Sequence, residues 1–133
     1  PLANICEARN IDGYSTGFND TLNVHYGIFN PDTHNIKADL IFLHGYGDSF
    51  GNHLPLFRSM NEKGIRVVSF DLPSHGKTQG NHWDDLDWWS FDDLSRLVEV
   101  IDHETVEDQS RPLIIAGWST GGLLAIRMEQ MRH

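Results

Sequence analysis

Residues 112–127, PLIIAGWSTGGLLAIR, decide the fold. A short apolar run, typical of a buried central strand, passes into a glycine-rich turn and then into an apolar stretch that can continue as a helix. The turn has the spacing Gly117-x-Ser119-x-Gly121. A strand that enters a helix directly strains the residue between them, and glycines two positions to either side remove Cβ atoms that would collide. The stretch predicts a strand, a tight turn presenting Ser119, and a helix.

Ser119 has two possible roles at this turn. At a helix N-terminus the free backbone N–H groups and the helix dipole favour a negative oxygen nearby, which suits a nucleophile. The alternative is a tight glycine turn whose serine only caps the helix. The spacing alone leaves both open.

Composition indicates one globular, soluble domain with an acidic surface. The chain has 133 residues, of which 39% are hydrophobic, enough to bury a core. Its net charge of −9 disfavours nucleic acid or an anionic membrane surface as a partner. No run approaches the roughly 18 apolar residues of a membrane span. Because the chain begins with Pro1, a targeting segment could have been removed, and cytoplasmic and secreted locations both stay open.

The first third of the chain predicts an arm and a hairpin. Residues 1–12 carry little pattern and are interpreted as an N-terminal arm. Residues 14–18 and 21–29 flank a plausible turn at Asn19-Asp20, and apolar side chains alternate along the second segment, as in a half-buried strand.

Strands and helices then alternate three times. Apolar strands are predicted at 38–43, 65–70 and 113–116. Helices are predicted at 52–63, ended by Gly64, and from a capping box at Ser90 and Asp93 to about His103. The connection 77–89 is expected to be a loop. This order predicts an α/β fold, with an opening hairpin followed by a largely parallel sheet covered by helices on both faces.

Three motifs in this order resemble the α/β-hydrolase family, and within it the monoacylglycerol lipase, lysophospholipase and serine aminopeptidase-like group. They are LHG at 43–45, FDLPSHG at 70–76 and GWSTGG at 117–122. The resemblance covers roughly residues 14–131. It implies a serine hydrolase that cleaves carboxylic esters, monoacylglycerol or lysophospholipid-like lipids above all, through an acyl-enzyme. It implies no metal or other cofactor.

The resemblance also implies roles for individual residues. Ser119 would be the nucleophile, on the sharp strand-to-helix turn that is called the nucleophile elbow. The backbone N–H groups of Tyr46 and Thr120 would form the oxyanion hole. Four residues would support this arrangement: His44, Gly45, Gly117 and Gly121. A catalytic base at His44 or His75 is the weaker alternative, since His44 is expected to support the oxyanion loop and His75 to hydrogen-bond within its own turn.

Two further interpretations concern the histidines and the aromatic residues. A metal site formed by His44, His75 and His82 has no recognisable ligand spacing. Residues 82–89 could line the mouth of a substrate cleft, but a solvated acidic loop whose tryptophans pack on the following helix is favoured.

In the family, a histidine and an acidic residue complete a catalytic triad with the serine. Both follow the serine in the sequence, after further strands. In this sequence the only acidic residue after Ser119 is Glu129 and the only histidine is His133. Both belong to the same helical stretch as the serine. Residues 1–133 are therefore expected to be the N-terminal part of a single hydrolase domain, with the acid, histidine and lid supplied by a C-terminal fragment or a second chain. The alternative is a non-catalytic binding or regulatory module on a hydrolase scaffold.

Overall fold

The computed structural model describes residues 3–11, 22–80 and 89–132. Within these ranges the chain forms six strands, three α-helices and one 3-10 helix. In chain order they are β1 (Ala3–Ile11), β2 (Leu22–Asn30), β3 (Ala38–Leu43), the 3-10 helix (Phe50–His53), α1 (Leu54–Glu62), β4 (Ile65–Phe70), β5 (Gln79–Gly80), α2 (Phe91–Thr105), β6 (Leu113–Gly117) and α3 (Thr120–Arg132).

The described strands form one mixed sheet. Its order is β1-β2-β4-β3-β6, with the short β5 paired to β2. β3 runs parallel to both β4 and β6. β2 runs antiparallel to β1 and β4. The sheet therefore combines an antiparallel pair, β1 and β2, with a parallel part that contains the strand leading to Ser119.

Helices cover both faces of the sheet, as the sequence predicts. On one face, Phe57 of α1 is fully buried with Phe29, Phe42 and Val67. On the other, α2 and α3 pack against Ile41 and further strand residues in a second core that contains Leu43, Val68, Phe70, Leu94, Leu97, Val98, Ile101, Leu124 and Met128. Burial of a large apolar side chain contributes about 1.5–3 kcal/mol, so these two cores are the main stabilising feature.

The connections place a crevice between β3 and β6. The chain leaves β3 toward α1 on one face and leaves β6 toward α3 on the opposite face. Because the two strands are neighbours and parallel, their carboxyl ends lie side by side while their following loops diverge. Open α/β sheets bind their ligands at such a point. The loops that begin at His44 and Trp118 meet here.

Two of the predictions made from the sequence need correction. Residues 1–12 are not an arm, because Ala3–Ile11 forms β1 and pairs along its whole length with β2. β1 lies at the edge of the sheet, and an edge strand has one strand partner only and does not require the apolar run of a central strand. The strand and turn predicted at 14–20 lie outside the described residues. The loop predicted at 77–89 is also interrupted, by β5 (Gln79–Gly80).

The predicted helix signals are confirmed. The Ser90 hydroxyl accepts a hydrogen bond from the Asp93 N–H, and the Asp93 carboxylate accepts one from the Ser90 N–H, so the capping box begins α2. Gly64 follows α1 with a φ of 79°, the left-handed conformation expected of a glycine at a helix C-terminus. None of the helices in the described ranges has the length and apolar character needed to cross a membrane.

Candidate functional site

Ser119 lies in a two-residue turn between β6 and α3. Its φ of 54° is in the left-handed region, which an L-residue adopts only at a cost of about 1–3 kcal/mol. The turn is closed by the Gly121 N–H, which donates to the Trp118 carbonyl at 2.9 Å, and by the Gly122 N–H, which donates to the Ser119 carbonyl at 2.8 Å. The strain predicted from the glycine spacing is therefore present at Ser119, whose side chain is exposed.

The two glycines of the motif are required by backbone contacts. A Cβ on Gly117 would lie 2.2 Å from the carbonyl carbon and oxygen of Gly121. A Cβ on Gly121 would lie 2.0 Å from the Leu43 carbonyl oxygen and 2.6 Å from that of His44. Both obstacles are backbone atoms, so no side-chain rotation relieves them. The glycines let the start of α3 pack directly on the ends of β6 and β3.

The loop after β3 packs against the serine turn. The Trp118 N–H donates to the Leu43 carbonyl at 3.0 Å. A Cβ on Gly45 would lie 3.0 Å from the Trp118 carbonyl oxygen and 3.1 Å from the Ser119 Cβ, so a larger residue would crowd this close approach. The structure thus brings together the two sequence motifs that are 74 residues apart between Gly45 and Ser119.

Two backbone N–H groups border this contact. Tyr46 follows Gly45, and Thr120 follows Ser119 as the first residue of α3. Among the hydrogen bonds of the described residues, neither the Tyr46 N–H nor the Thr120 N–H acts as a donor, whereas the N–H groups of Gly47 and Gly121 both do. The Tyr46 side chain is 71% exposed and that of Trp118 is 66% exposed. Trp118 and Thr120 therefore flank Ser119 along the chain, and Tyr46 follows Gly45 in the loop that packs against Ser119.

His44 is fully buried and bonded at both ring nitrogens. Nδ1 is 2.7 Å from the Gly45 carbonyl oxygen and must donate, while Nε2 accepts the Leu72 N–H at 2.9 Å. This arrangement requires the neutral ring with its proton on Nδ1. Burial lowers the pKa of His44, against the opposing effect of its hydrogen bond to Gly45. His44 therefore ties the loop after β3 to the loop after β4, as a supporting residue is expected to do.

This neutral, buried His44 should make the fold sensitive to acid. Its pKa is lower in the folded state than the ordinary value of 6.5, so the unfolded state binds more protons as pH falls below that value. The stabilising contribution is complete above pH 6.5 and decreases toward acid by up to about 1.4 kcal/mol per pH unit. In urea titrations of the full-length protein between about pH 5 and pH 8, His44→Gln should flatten this decline. An equal flattening by His34→Gln, at an exposed position, would contradict this assignment.

His75 bonds within its own turn, as predicted, and also to the other loop. Nδ1 donates to the Pro73 carbonyl oxygen at 2.9 Å. Nε2 accepts the Gly47 N–H at 2.8 Å. The ring is 8% exposed and lies 5.2 Å from the His44 ring, measured between centroids. The sequence did not predict the contact with Gly47, because it joins residues from two separate loops.

Asp71 is a buried carboxylate that the sequence analysis did not single out. One oxygen accepts the Phe50 N–H at 3.0 Å, and the other accepts the Lys77 N–H at 3.0 Å and lies 3.0 Å from His25 Nδ1. A Cβ on Gly76 would lie 2.1 Å from this carboxylate, which explains the glycine there. Asp71 thus organises the loop after β4. In the sequence, Asp71 is an acidic residue immediately after an apolar strand, within the FDLPSHG motif at 70–76.

Asp48 fixes the other end of the turn after β3. Partial burial raises its pKa, but hydrogen bonds from Asn52, His53 and the Ser49 N–H outweigh this and lower the pKa of Asp48 to about 2. The Asn52 amide and the Ser49 N–H each donate to Oδ1 at 2.7 Å, and His53 Nε2 lies 2.5 Å from Oδ2. The carboxylate therefore stays ionised and joins the turn to the 3-10 helix.

The structure describes Trp89 of the segment 82–89, and His44 and His75 of the three histidines considered for a metal site. Of the segment 82–89, only Trp89 is described, and it is buried in the core beside α2; the rest lies outside the described residues. In the described ranges no group of three His, Cys, Asp or Glu side chains is placed to hold a metal ion. His44 and His75 already use both ring nitrogens on backbone groups, and His82 is outside those ranges.

Comparison with known proteins identifies the family of this chain. The model of the Alpha/beta hydrolase family matches residues 40–133. Pimeloyl-[acyl-carrier protein] methyl ester esterase of Shewanella sp. (strain MR-7) is 33% identical over 107 residues, which cover 80% of this chain and 35% of that protein. A Schizosaccharomyces pombe protein named "Putative monoglyceride lipase" is 31% identical over 99 residues, which cover 68% of this chain and 24% of that protein.

Solved structures show the same fold. A laboratory-evolved variant of potato epoxide hydrolase superposes with a TM-score of 0.74 at 18% identity, covering 96% of this chain and 36% of that one. The chain thus spans about a third or less of the length of these relatives. The family model matches residues 40–133, and the fold is the one seen in the superposed structure. The chain therefore belongs to the alpha/beta hydrolase family.

Proposed function

We propose that Ser119 is the nucleophile of a serine esterase. The observation that carries this proposal is the position of Ser119, exposed and with a φ of 54° on the turn between β6 and α3. A strained backbone persists only where the surrounding structure holds it, and such positions cluster at functional sites. A serine that only caps a helix needs no such strain, since cap residues normally have extended backbone.

The two unused backbone donors would stabilise the reaction's negative charge. When the Ser119 oxygen attacks an acyl carbonyl, the carbonyl oxygen becomes negative in the tetrahedral intermediate. We assign its hydrogen bonds to the N–H groups of Tyr46 and Thr120. Each donor of this kind contributes about 3–4 kcal/mol to lowering the barrier. The support for this assignment is the close packing of Gly45 on Ser119, which sets the two loops side by side.

The base that accepts the serine proton lies outside the described residues in this proposal. The two buried histidines near the site are occupied, because each donates from Nδ1 to a carbonyl and accepts a backbone N–H at Nε2. A free ring nitrogen is required for proton transfer. Neither His44 nor His75 offers one, so the triad histidine and its acid would come from a C-terminal part of the domain or from a second chain.

β6 and α3 have exposed apolar side chains, which supports the proposal that a further part of the domain covers them. β6 is the edge strand of the described sheet, and Ile114 on it is 41% exposed. On α3, Leu124 and Met128 are buried, yet Leu123 is 57% and Ile126 60% exposed. α3 therefore has large apolar side chains outside its buried face, and exposed apolar patches mark surfaces that another element covers. We therefore propose that residues 1–133 are the N-terminal part of one hydrolase domain and that the rest covers β6 and α3.

The proposed substrate is a carboxylic ester with an apolar acyl group, such as a monoacylglycerol or a lysophospholipid-like lipid. Two relatives carry the words ester esterase and monoglyceride lipase in their names. The exposed rings of Tyr46 and Trp118 beside Ser119 would give an acyl chain apolar contacts. A net charge of −9 also favours a neutral or zwitterionic lipid over an anionic one.

A substrate panel tests this proposal. The full-length protein would be given a monoacylglycerol, a lysophosphatidylcholine, a matched thioester and an aminoacyl amide at equal concentration. We expect the esters to be hydrolysed with the highest kcat/KM, and a pre-steady-state burst of alcohol release that reports the acyl-enzyme. A preference for the amide or the thioester, or ester hydrolysis without a covalent intermediate, would contradict the assignment.

A further inference from the structure

The turn after β3 has few backbone–backbone hydrogen bonds of its own among the described residues. Within it, the Asp48 N–H donates to the Gly45 carbonyl at 3.2 Å. Gly47 has a φ of 78°, and a Cβ added there would meet no atom within 4 Å. A side chain at Gly47 would therefore face open space. The peptide between Tyr46 and Gly47 is restrained by the 2.8 Å bond from the Gly47 N–H to His75 Nε2.

His75 is itself held in place for this contact. Its Nδ1 donates to the Pro73 carbonyl at 2.9 Å, which leaves Nε2 as an acceptor. The ring is buried between two neighbours: the His44 ring at 5.2 Å and the Tyr46 ring at 5.4 Å, the latter edge-on. A fixed ring with its lone pair on the Gly47 N–H is a rigid support rather than a mobile surface group.

The two loops are joined by reciprocal bonds. His44, from the loop after β3, accepts the Leu72 N–H of the loop after β4 at 2.9 Å. His75, from the loop after β4, accepts the Gly47 N–H of the loop after β3 at 2.8 Å. Each histidine thus fixes the backbone of the other loop, and both rings carry their proton on Nδ1.

We propose that His75 is a positioning residue for ester hydrolysis at Ser119, which holds the Tyr46–Gly47 peptide so that the Tyr46 N–H stays available to the developing oxyanion. This inference rests on the proposed function. His75 contacts neither substrate nor Ser119 in the proposal and acts only through Gly47. Its loss should slow the chemical step more than it weakens binding, because an oxyanion donor acts in the transition state.

The test compares His75→Leu with His75→Gln in the full-length protein. Leucine removes the acceptor, whereas the glutamine carbonyl can accept the Gly47 N–H near the position of Nε2. An alkyl fluorophosphonate reports the chemical step without a known substrate, because the Ser119 oxygen forms a bond to phosphorus and fluoride leaves. Labelling rates across probe concentrations separate the limiting rate constant from the half-saturating concentration.

We expect His75→Leu to lower the limiting rate constant by about 10- to 100-fold, with the half-saturating concentration within about threefold of wild type. His75→Gln should recover to within about threefold of wild type. A limiting rate for His75→Leu that matches wild type, or a rate for a folded His75→Gln as low as that of His75→Leu, would overturn the proposal.

A measurement on the wild-type protein covers the case in which a variant does not fold. Nitrogen-15 NMR with labelled histidine reports which ring nitrogen carries the proton. The proposal requires an unprotonated Nε2 on His75 at neutral pH, and a protonated Nε2 would overturn it. If wild type takes no probe while Nε2 is unprotonated, the proposed hydrolase function fails and the contact between His75 and Gly47 still stands.

Discussion

Ser119→Ala in the full-length protein should remove ester hydrolysis almost completely, with kcat lower by about 10⁴- to 10⁶-fold. The alanine removes the attacking oxygen and leaves the turn and both backbone donors in place. The residual rate, about 10³- to 10⁴-fold above water, would come from binding and the oxyanion donors alone. The measurement is steady-state hydrolysis of the best ester in the panel, with the unfolding temperature recorded in parallel.

Ser110→Ala is the matched control for this prediction. Ser110 is also an exposed serine, in the turn before β6, where its hydroxyl bonds to Asp108. We expect this variant to keep wild-type activity. Activity of Ser119→Ala within about tenfold of wild type would show that a different group attacks the ester, and the assignment of Ser119 would then be wrong.

Gly121→Ala should have the largest effect on stability. Its Cβ would lie 2.0 Å from the Leu43 carbonyl oxygen and 2.6 Å from that of His44. Relief requires α3 to move away from the ends of β3 and β6, which also moves Ser119. We expect the free energy of unfolding to fall by about 3 kcal/mol or more, with activity lost, as measured by urea denaturation and ester hydrolysis.

Gly122→Ala is the control one residue further along the same helix. There the nearest atom to an added Cβ is the Gly117 carbonyl oxygen at 3.4 Å, an ordinary contact. Alanine also favours the helix by up to about 1 kcal/mol relative to glycine. We expect Gly122→Ala to be neutral or slightly stabilising. Equal losses in the two variants would mean that helix disturbance, and not the contact with Leu43, is the cause.

The parts of the fold that depend on local sequence could be predicted. The buried parallel strands β3 and β4 are mainly apolar, and both lie at the bounds that the sequence predicts. The capping box at Ser90 and the glycine after α1 are local signals too. β1 could not be found in this way, because an edge strand paired only with β2 carries no continuous apolar run.

The parts of the candidate site that could be predicted are those in which the local sequence sets the backbone conformation. The glycine spacing around Ser119 indicates the positive φ that the structure has. The Gly47 N–H bonds to His75, 28 residues further along the chain, and the Phe50 N–H bonds to Asp71, 21 residues further along. No local sequence pattern connects residues at such separations. These contacts depend on the sheet order, which brings the loops after β3 and β4 side by side.

The most direct test of the central claim is the intact mass of the full-length protein before and after treatment with a fluorophosphonate, with Ser119→Ala beside it. The account predicts that wild type gains one phosphonyl group and that Ser119→Ala gains none. Wild type that takes no label while folded would contradict it and would favour a binding module on the hydrolase scaffold. A label that persists in Ser119→Ala would place the nucleophile elsewhere in the protein.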